Sequence, residues 1–228
     1  MAMHTGGRKP PNPDPGNYVW VKTKDGAYWR LKRGTLKKAK VNAAYSESIE
    51  WMKLSAPAAK RIMQKLQPFT KGFDFGRLNA RISGLLRKSL REKGQLDIRY
   101  LKELDFQPDH PIGNLLKEVP VIKQTARDIV VDIPLTTDTI IRKNSIVTNY
   151  YFELILLYGD AARENGLRTE IADSGVYVID TDYGKDCRLA LILPEQPWIA
   201  LLKVGCIEGD TTALHARLYG MKVVAAGR

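Results

Sequence analysis

Cysteine is nearly absent: Cys187 and Cys206 are the only two in 228 residues, with no CxxC pair. That excludes a disulfide framework and leaves both to be expected as buried, reduced thiols. Histidine is as scarce, and His4, His110 and His215 lie far apart. A structural zinc site needs about four well-spaced Cys or His ligands, so none is expected. No apolar run approaches the ~20 residues of a membrane-spanning helix. The opening stretch MAMHTGGRKPPNPDPGN carries no apolar segment of a secretory signal, and a cytoplasmic protein is the expectation. Missing too are GxGxxG after a strand, GxxxxGKS/T, HExxH and GxSxG. The letters Asp74-Phe75-Gly76 occur without any other kinase motif. Asp109-His110, held between Pro108 and Pro111, reads as a turn. The loop IDTDYGKD, with Asp180, Asp182 and Asp186, lacks the closing glutamate of a calcium loop. The expectation is therefore a non-enzymatic protein without cofactor or metal.

What the chain does have is basic charge, unevenly spread. The net charge is +11. Residues 1–110 hold 23 Lys and Arg against 10 Asp and Glu, and residues 111–228 hold 13 against 15. A basic first half joined to a slightly acidic second half bears on partners and solubility rather than on fold. It permits head-to-tail contacts between copies, which close into rings or extend as filaments.

The Pro- and Gly-rich residues 1–17 read as a disordered tail. In NYVWVKTKDGAYWRLKRG, the Asp25-Gly26 turn between aromatic and β-branched runs predicts a hairpin, with strands near 18–22 and 27–31. Trp20 and Trp29 then pack across it. Residues 35–93 read as helical: a short helix around 46–52, then a second opened by Ser55 as N-cap with Pro57 in its first turn. LDFQP near residue 105 reads as strand-like. From about residue 119 the hydrophobic period changes to two, and six or seven short strands without intervening helices predict an antiparallel sandwich. Ile129, Val131 and Ile133 face its core.

Two segments carry the candidate surfaces. In FGRLNARISGLLRKSLREKG, Leu78, Ile82, Leu85, Leu86 and Leu90 form one apolar helical stripe, ended by Gly94. Arg77, Arg81, Arg87, Lys88 and Arg91 lie opposite. They are candidate contacts for an anion such as nucleic acid, against the plainer reading of a solvated face. Farther on, CRLALIL and WIALLKVGC are expected to pair as a hairpin about Glu195 and Gln196, with Cys187 opposite Val204. One face then carries Cys187, Leu189, Leu191, Trp198, Ala200, Leu202 and Cys206 into the core. The other face is also apolar, and Ile192, Ile199 and Leu201 are candidate interface residues, covered either by the helices or by another subunit.

The order of Lys22-Thr23-Lys24-Asp25-Gly26 with Tyr28 and Arg30, then AAKRIMQKLQPFT, GRLNARISGLLRKSL, LDFQP, LPEQPWIALLKVGCIE and YGMKVVAAG resembles that of an uncharacterised Bacteroidetes protein family. That resemblance implies an N-terminal hairpin, basic amphipathic helices and a β-rich C-terminal part, with no activity to carry over. The expected fold class is α+β: an N-terminal β-hairpin and helical region packed on a C-terminal antiparallel β-sandwich. Its parts would be a tail over 1–17, a basic hairpin-plus-helical region over 18–110 and the sandwich over 111–228. The expected role is structural or protein-interaction, with self-association or an acidic protein as partner. The alternative is non-specific nucleic-acid binding through the basic helices, with the basic run at 30–40 in support.

Overall fold

The computed structural model describes residues 18–24, 26–32, 43–73, 75–141, 147–208, 211–212 and 215–228. The expected tail, Asp25 of the turn, most of the basic run at 30–40 and Asp74 lie outside them. The chain divides into two compact units, Met1–Glu47 and Ser48–Arg228. In the first, β1 (Tyr18–Thr23) and β2 (Gly26–Leu31) form the expected antiparallel hairpin. Trp20 sits opposite Trp29 with ring centroids 5.2 Å apart, edge to face, the geometry that aromatic quadrupoles favour.

The second unit has three layers. Its helices are α1 (Ala43–Leu66, of which Ser48 onward belongs here) and α2 (Leu78–Lys93). The strands are β3 (Val121–Gln124), β4 (Asp128–Leu135), β5 (Val147–Gly159), β6 (Leu167–Val178), β7 (Lys185–Ile192), β8 (Trp198–Glu208), β9 (Thr211–Thr212) and β10 (Tyr219–Gly227). One sheet runs β10-β8-β5-β6, with β9 on β8, and the other runs β3-β4-β7; every pairing is antiparallel. The fold is α+β, with the helical layer on a sandwich.

Alternation along the strands divides the side chains between two cores. Phe152, Leu154 and Leu156 of β5 and Ala200, Leu202 and Val204 of β8 face Ile129, Val131, Ile133, Cys187 and Leu189 of the smaller sheet. Ile155 and Leu157 of β5, Ile199 and Leu201 of β8, and Met221 and Val223 of β10 point the other way. There they meet Ala58, Ala59, Ile62 and Leu66 of α1 and Leu78, Ile82 and Leu86 of α2. Each such buried aliphatic side chain contributes about 1.5–3 kcal/mol. Both cysteines are buried and unbridged, as expected.

Three expectations need correction. The helix over 46–52 and the one after Ser55 are a single helix with Pro57 inside it. Proline removes one backbone donor, but Lys53 and Pro57 lie on the exposed side, where the orphaned Lys53 carbonyl is open to solvent. Ser55 is no cap; it is buried, its hydroxyl 3.0 Å from that of Ser83 on α2. The β7–β8 hairpin does not form. Cys187 pairs with Ile133 of β4, Leu202 pairs with Leu154 of β5, and the PEQP segment carries the chain from one sheet to the other. LDFQP is strand-like, as expected: Asp105 bridges Lys222 of β10 in antiparallel fashion, Phe106 N–H donates to Met221 O and Val223 N–H to Leu104 O.

Candidate interaction site

α2 places the predicted basic residues, and its apolar stripe and Gly94 stop are as expected. Gly94 takes φ 69° and its N–H caps Leu90 O, a left-handed close that favours glycine. The five cations do not act alike. Arg77, Lys88 and Arg91 are exposed, and Arg91 lies 3.8 Å from Glu92. Arg81 is half-buried and donates from Nη1 to Asp105 O at 2.9 Å, tying α2 to the segment beside β10. Arg87 is half-buried too, its Nε shielded from solvent. Of the five, three are solvated cations, Arg81 is tied to its own fold, and Arg87 buries its Nε without a hydrogen-bond partner among the described residues.

The candidate interface residues separate in the same way. Ile199 and Leu201 are fully buried beneath the helices of their own chain, which rules them out as a surface. The reason is that β8 is a central strand covered on both faces. Ile192, at the end of β7, remains 73% exposed.

A different apolar surface lies where the two sheets open. Thr125 closes the turn into β4: its N–H donates to Asp128 O at 2.9 Å, and its hydroxyl accepts from the Arg127 and Asp128 N–H groups. In an antiparallel ladder, hydrogen-bonded pairs recur at every second residue. Lys123 with Val130 and Val121 with Asp132 are therefore the bonded pairs of β3 and β4. The backbone N–H and C=O of Ile122 and Gln124 point to the free edge, where no other described residue meets them. Ile122 sits opposite core residue Val131, so its side chain faces inward, yet it is 38% exposed. Val119, just before β3, is 80% exposed.

Ile122 is uncovered because the smaller sheet ends one strand short of the larger. Between β3 and β10 a cleft of about 560 Å³ opens onto Leu202 and Val224, with Ile112 and Leu116 at one end. Its charged rim is already engaged. Lys222 Nζ is 2.6 Å from Glu103, Lys117 Nζ is 2.8 Å from Asp138, and Glu118 accepts from Thr136. Burial pushes the Asp105 carboxyl above its ordinary range, only partly offset by the Ile112 N–H and by Lys222. An apolar floor, paired rim charges and a free backbone edge suit an extended polypeptide better than a charged small molecule. No group of three or more His, Cys, Asp or Glu among the described residues is placed to hold a metal ion.

The remaining residues singled out in the sequence lie elsewhere. His110 N–H donates to Gln107 O in a turn, as expected, and His215 is exposed. Asp182 accepts from the Val178 N–H and lies 3.5 Å from Lys185, engaged in its own loop. Sequence reasoning missed Ile122. The available signal was VPVI, where adjacent Val121 and Ile122 break the alternation of a strand with one solvated face.

No family model, curated protein or solved structure matches the chain. Among the described residues no helix is long and apolar enough to cross a membrane.

Proposed function

We propose that this chain is a non-enzymatic, cytoplasmic structural or protein-interaction protein that engages other polypeptide at the open edge between β3 and β10. The observation that supports this most is Ile122: a core-facing side chain beside unpaired backbone, left exposed over an apolar cleft. Exposed strand edges recruit further strands, and protein surfaces rarely leave such a floor open without use. Photocrosslinking tests it. A photoreactive phenylalanine at Gln124 should yield protein adducts in cells of the source, while the same group at exposed Arg188 on β7 should yield none. Equal labelling, or none from either position, would refute the reading.

A second reading keeps nucleic acid as partner. It is supported by Lys60, Lys65, Lys71, Arg77 and Lys88, which are exposed and have no carboxylate partner among the described residues. Binding would weaken with salt, with a log–log slope near −0.9 per phosphate neutralised on duplex DNA. Charge reversal belongs at Arg77 and Lys88, since Arg81 holds Asp105 O and its loss would disturb the fold. Retained duplex affinity in Arg77→Glu/Lys88→Glu would remove this reading.

A further inference from the structure

We propose that the groove between α1 and the start of α2 docks an acidic, amphipathic helix of a partner protein. The groove lies on the far side of the larger sheet from β3, so it is a site separate from the open edge. Ala56, Lys60, Met63 and Gln67 recur at i, i+4, i+7 and i+11, along one face of α1 and the turn after it. Phe75 and Asn79 close the other wall, and the space between measures about 760 Å³. Met63 and Phe75 are half-buried on its floor, backed by the core that the helices share with the sheet. From Ala56 to Gln67 the face runs about 17 Å, three turns of a docked helix, and exposed Met52 extends it by one turn more.

Charge decides the sign of the partner. None of the described residues that line the groove is a carboxylate. Lys60 lines it, Lys65 adjoins Gln64, and Lys71 and Arg77 stand either side of Phe75 in the chain. All four are exposed, with no carboxylate partner among the described residues. The start of α2 adds to the attraction. It has no side-chain cap from Arg77 and no acid in its first turn, where unpaired amides and the helix dipole favour one. Asn79, in that turn, faces the groove. A carboxylate on the docked helix supplies what the turn lacks.

The floor decides its kind. Phosphates lose water against Ala56, Met63 and Phe75 and gain no bond there, so a nucleic acid matches the cations but not the groove. An extended peptide finds no strand edge along α1 or α2. A helix satisfies its own main chain, lays an apolar stripe on the floor and turns its acids to the rim. Methionine adapts to the shape of such a stripe. Neither described helix of this chain is acidic. α1 has Glu47 and Glu50 against Lys53, Lys60, Arg61 and Lys65, and α2 has Glu92 against five cations. A second copy therefore offers no such helix, and the occupant is a different protein.

Fluorescence anisotropy of the full chain tests this with a designed probe: a labelled, lactam-bridged peptide of roughly four helical turns, Leu on one face and Glu on the rest. Binding that weakens with added salt is expected. Changing the peptide's Leu to Ser, or its Glu to Gln, should raise Kd tenfold or more, and so should Lys60→Glu or Met63→Glu in the protein. Asn79→Glu separates binding from folding. An acid in the first turn of α2 should hold or raise Tm while it repels the probe, so this variant decides the matter if Met63→Glu lowers Tm. No binding at about 1 mM protein, or a Kd indifferent to Met63→Glu and Asn79→Glu, would overturn the proposal. Equal affinity for the Leu-to-Ser peptide would overturn it too, because charge alone would then suffice. Duplex DNA that binds more tightly than the probe, and still binds Met63→Glu, would assign the cations to nucleic acid instead. None of these results bears on the β3 edge, which crosslinking at Gln124 decides by itself.

Discussion

Removing the amine of Lys203 while leaving the Glu153 carboxylate should destabilise the fold more than removing both. The two residues are cross-strand partners on β8 and β5, on the sheet face toward the helices. Lys203 Nζ lies 2.8 Å from Glu153 Oε2, and the side chains are only 8% and 18% exposed. Tyr151 covers the pair, its ring centroid 5.1 Å from Nζ, and burial with Glu153 nearby pushes its own phenol up to about 12. A buried pair gains little over a hydrophobic replacement, because both ions lose their water. Loss of one partner strands an uncompensated charge, at about 3–5 kcal/mol in fully buried cases. Since Glu153 keeps some access to solvent, Lys203→Met should cost about 3 kcal/mol. Glu153→Leu should cost a similar amount by stranding the amine. The double variant should cost less than about 1 kcal/mol, because two apolar side chains fill the same space. For a unit of this size about 3 kcal/mol lowers Tm by roughly 6–12 °C. Urea titrations of the three variants, with m-values compared, measure the coupling. Additive losses, or a single loss under about 1 kcal/mol, would show that the pair is solvated and this reasoning wrong.

Three further outcomes are expected. Leu86→Ala, at a fully buried position between α2 and the sheet, should cost about 2–5 kcal/mol by urea titration. Burial opposes the charge of Asp97, but hydrogen bonds from Arg99 and Lys93 outweigh it and hold the carboxyl below its ordinary range. A depressed carboxyl stabilises above its unfolded pKa of ~3.9 and loses that contribution as pH falls through the folded value. Asp97→Asn should therefore be less stable at neutral pH and lose less on acidification below about pH 4, as read by melting curves against pH. Burial raises the Cys187 thiol as well, and Cys206 is fully buried. A thiol reagent should leave both unmodified in the native protein and modify both in denaturant; fast native labelling would contradict the packed sandwich.

Much of the fold was legible because it rests on local signals. The stripe of Leu78, Ile82, Leu86 and Leu90 and the glycine after it made α2 readable as far as its last turn. Asp-Gly between aromatic runs did the same for the first hairpin, and strict alternation did so for β5. The candidate site was not legible in this way. Arg81 and Arg77 look alike on a helical wheel, and only the position of the Asp105 carbonyl separates the bound cation from the solvated one.

By itself the sequence determined which side chains are buried and in what period: Cys187, Leu189, Trp198, Ala200 and Leu202 do share one core. Only the tertiary structure decided who pairs with whom. A period of two specifies the buried face of a strand but not its neighbour, and pairing β7 with β8 or setting them in opposing sheets buries the same residues. The same holds for Ile199 and Leu201, whose second apolar face is explained by a helical layer packed on it. It holds for Ile122, which has the side chain of a core residue and is exposed because the smaller sheet ends beside it. Burial is written in single residues; coverage depends on elements far apart in the chain.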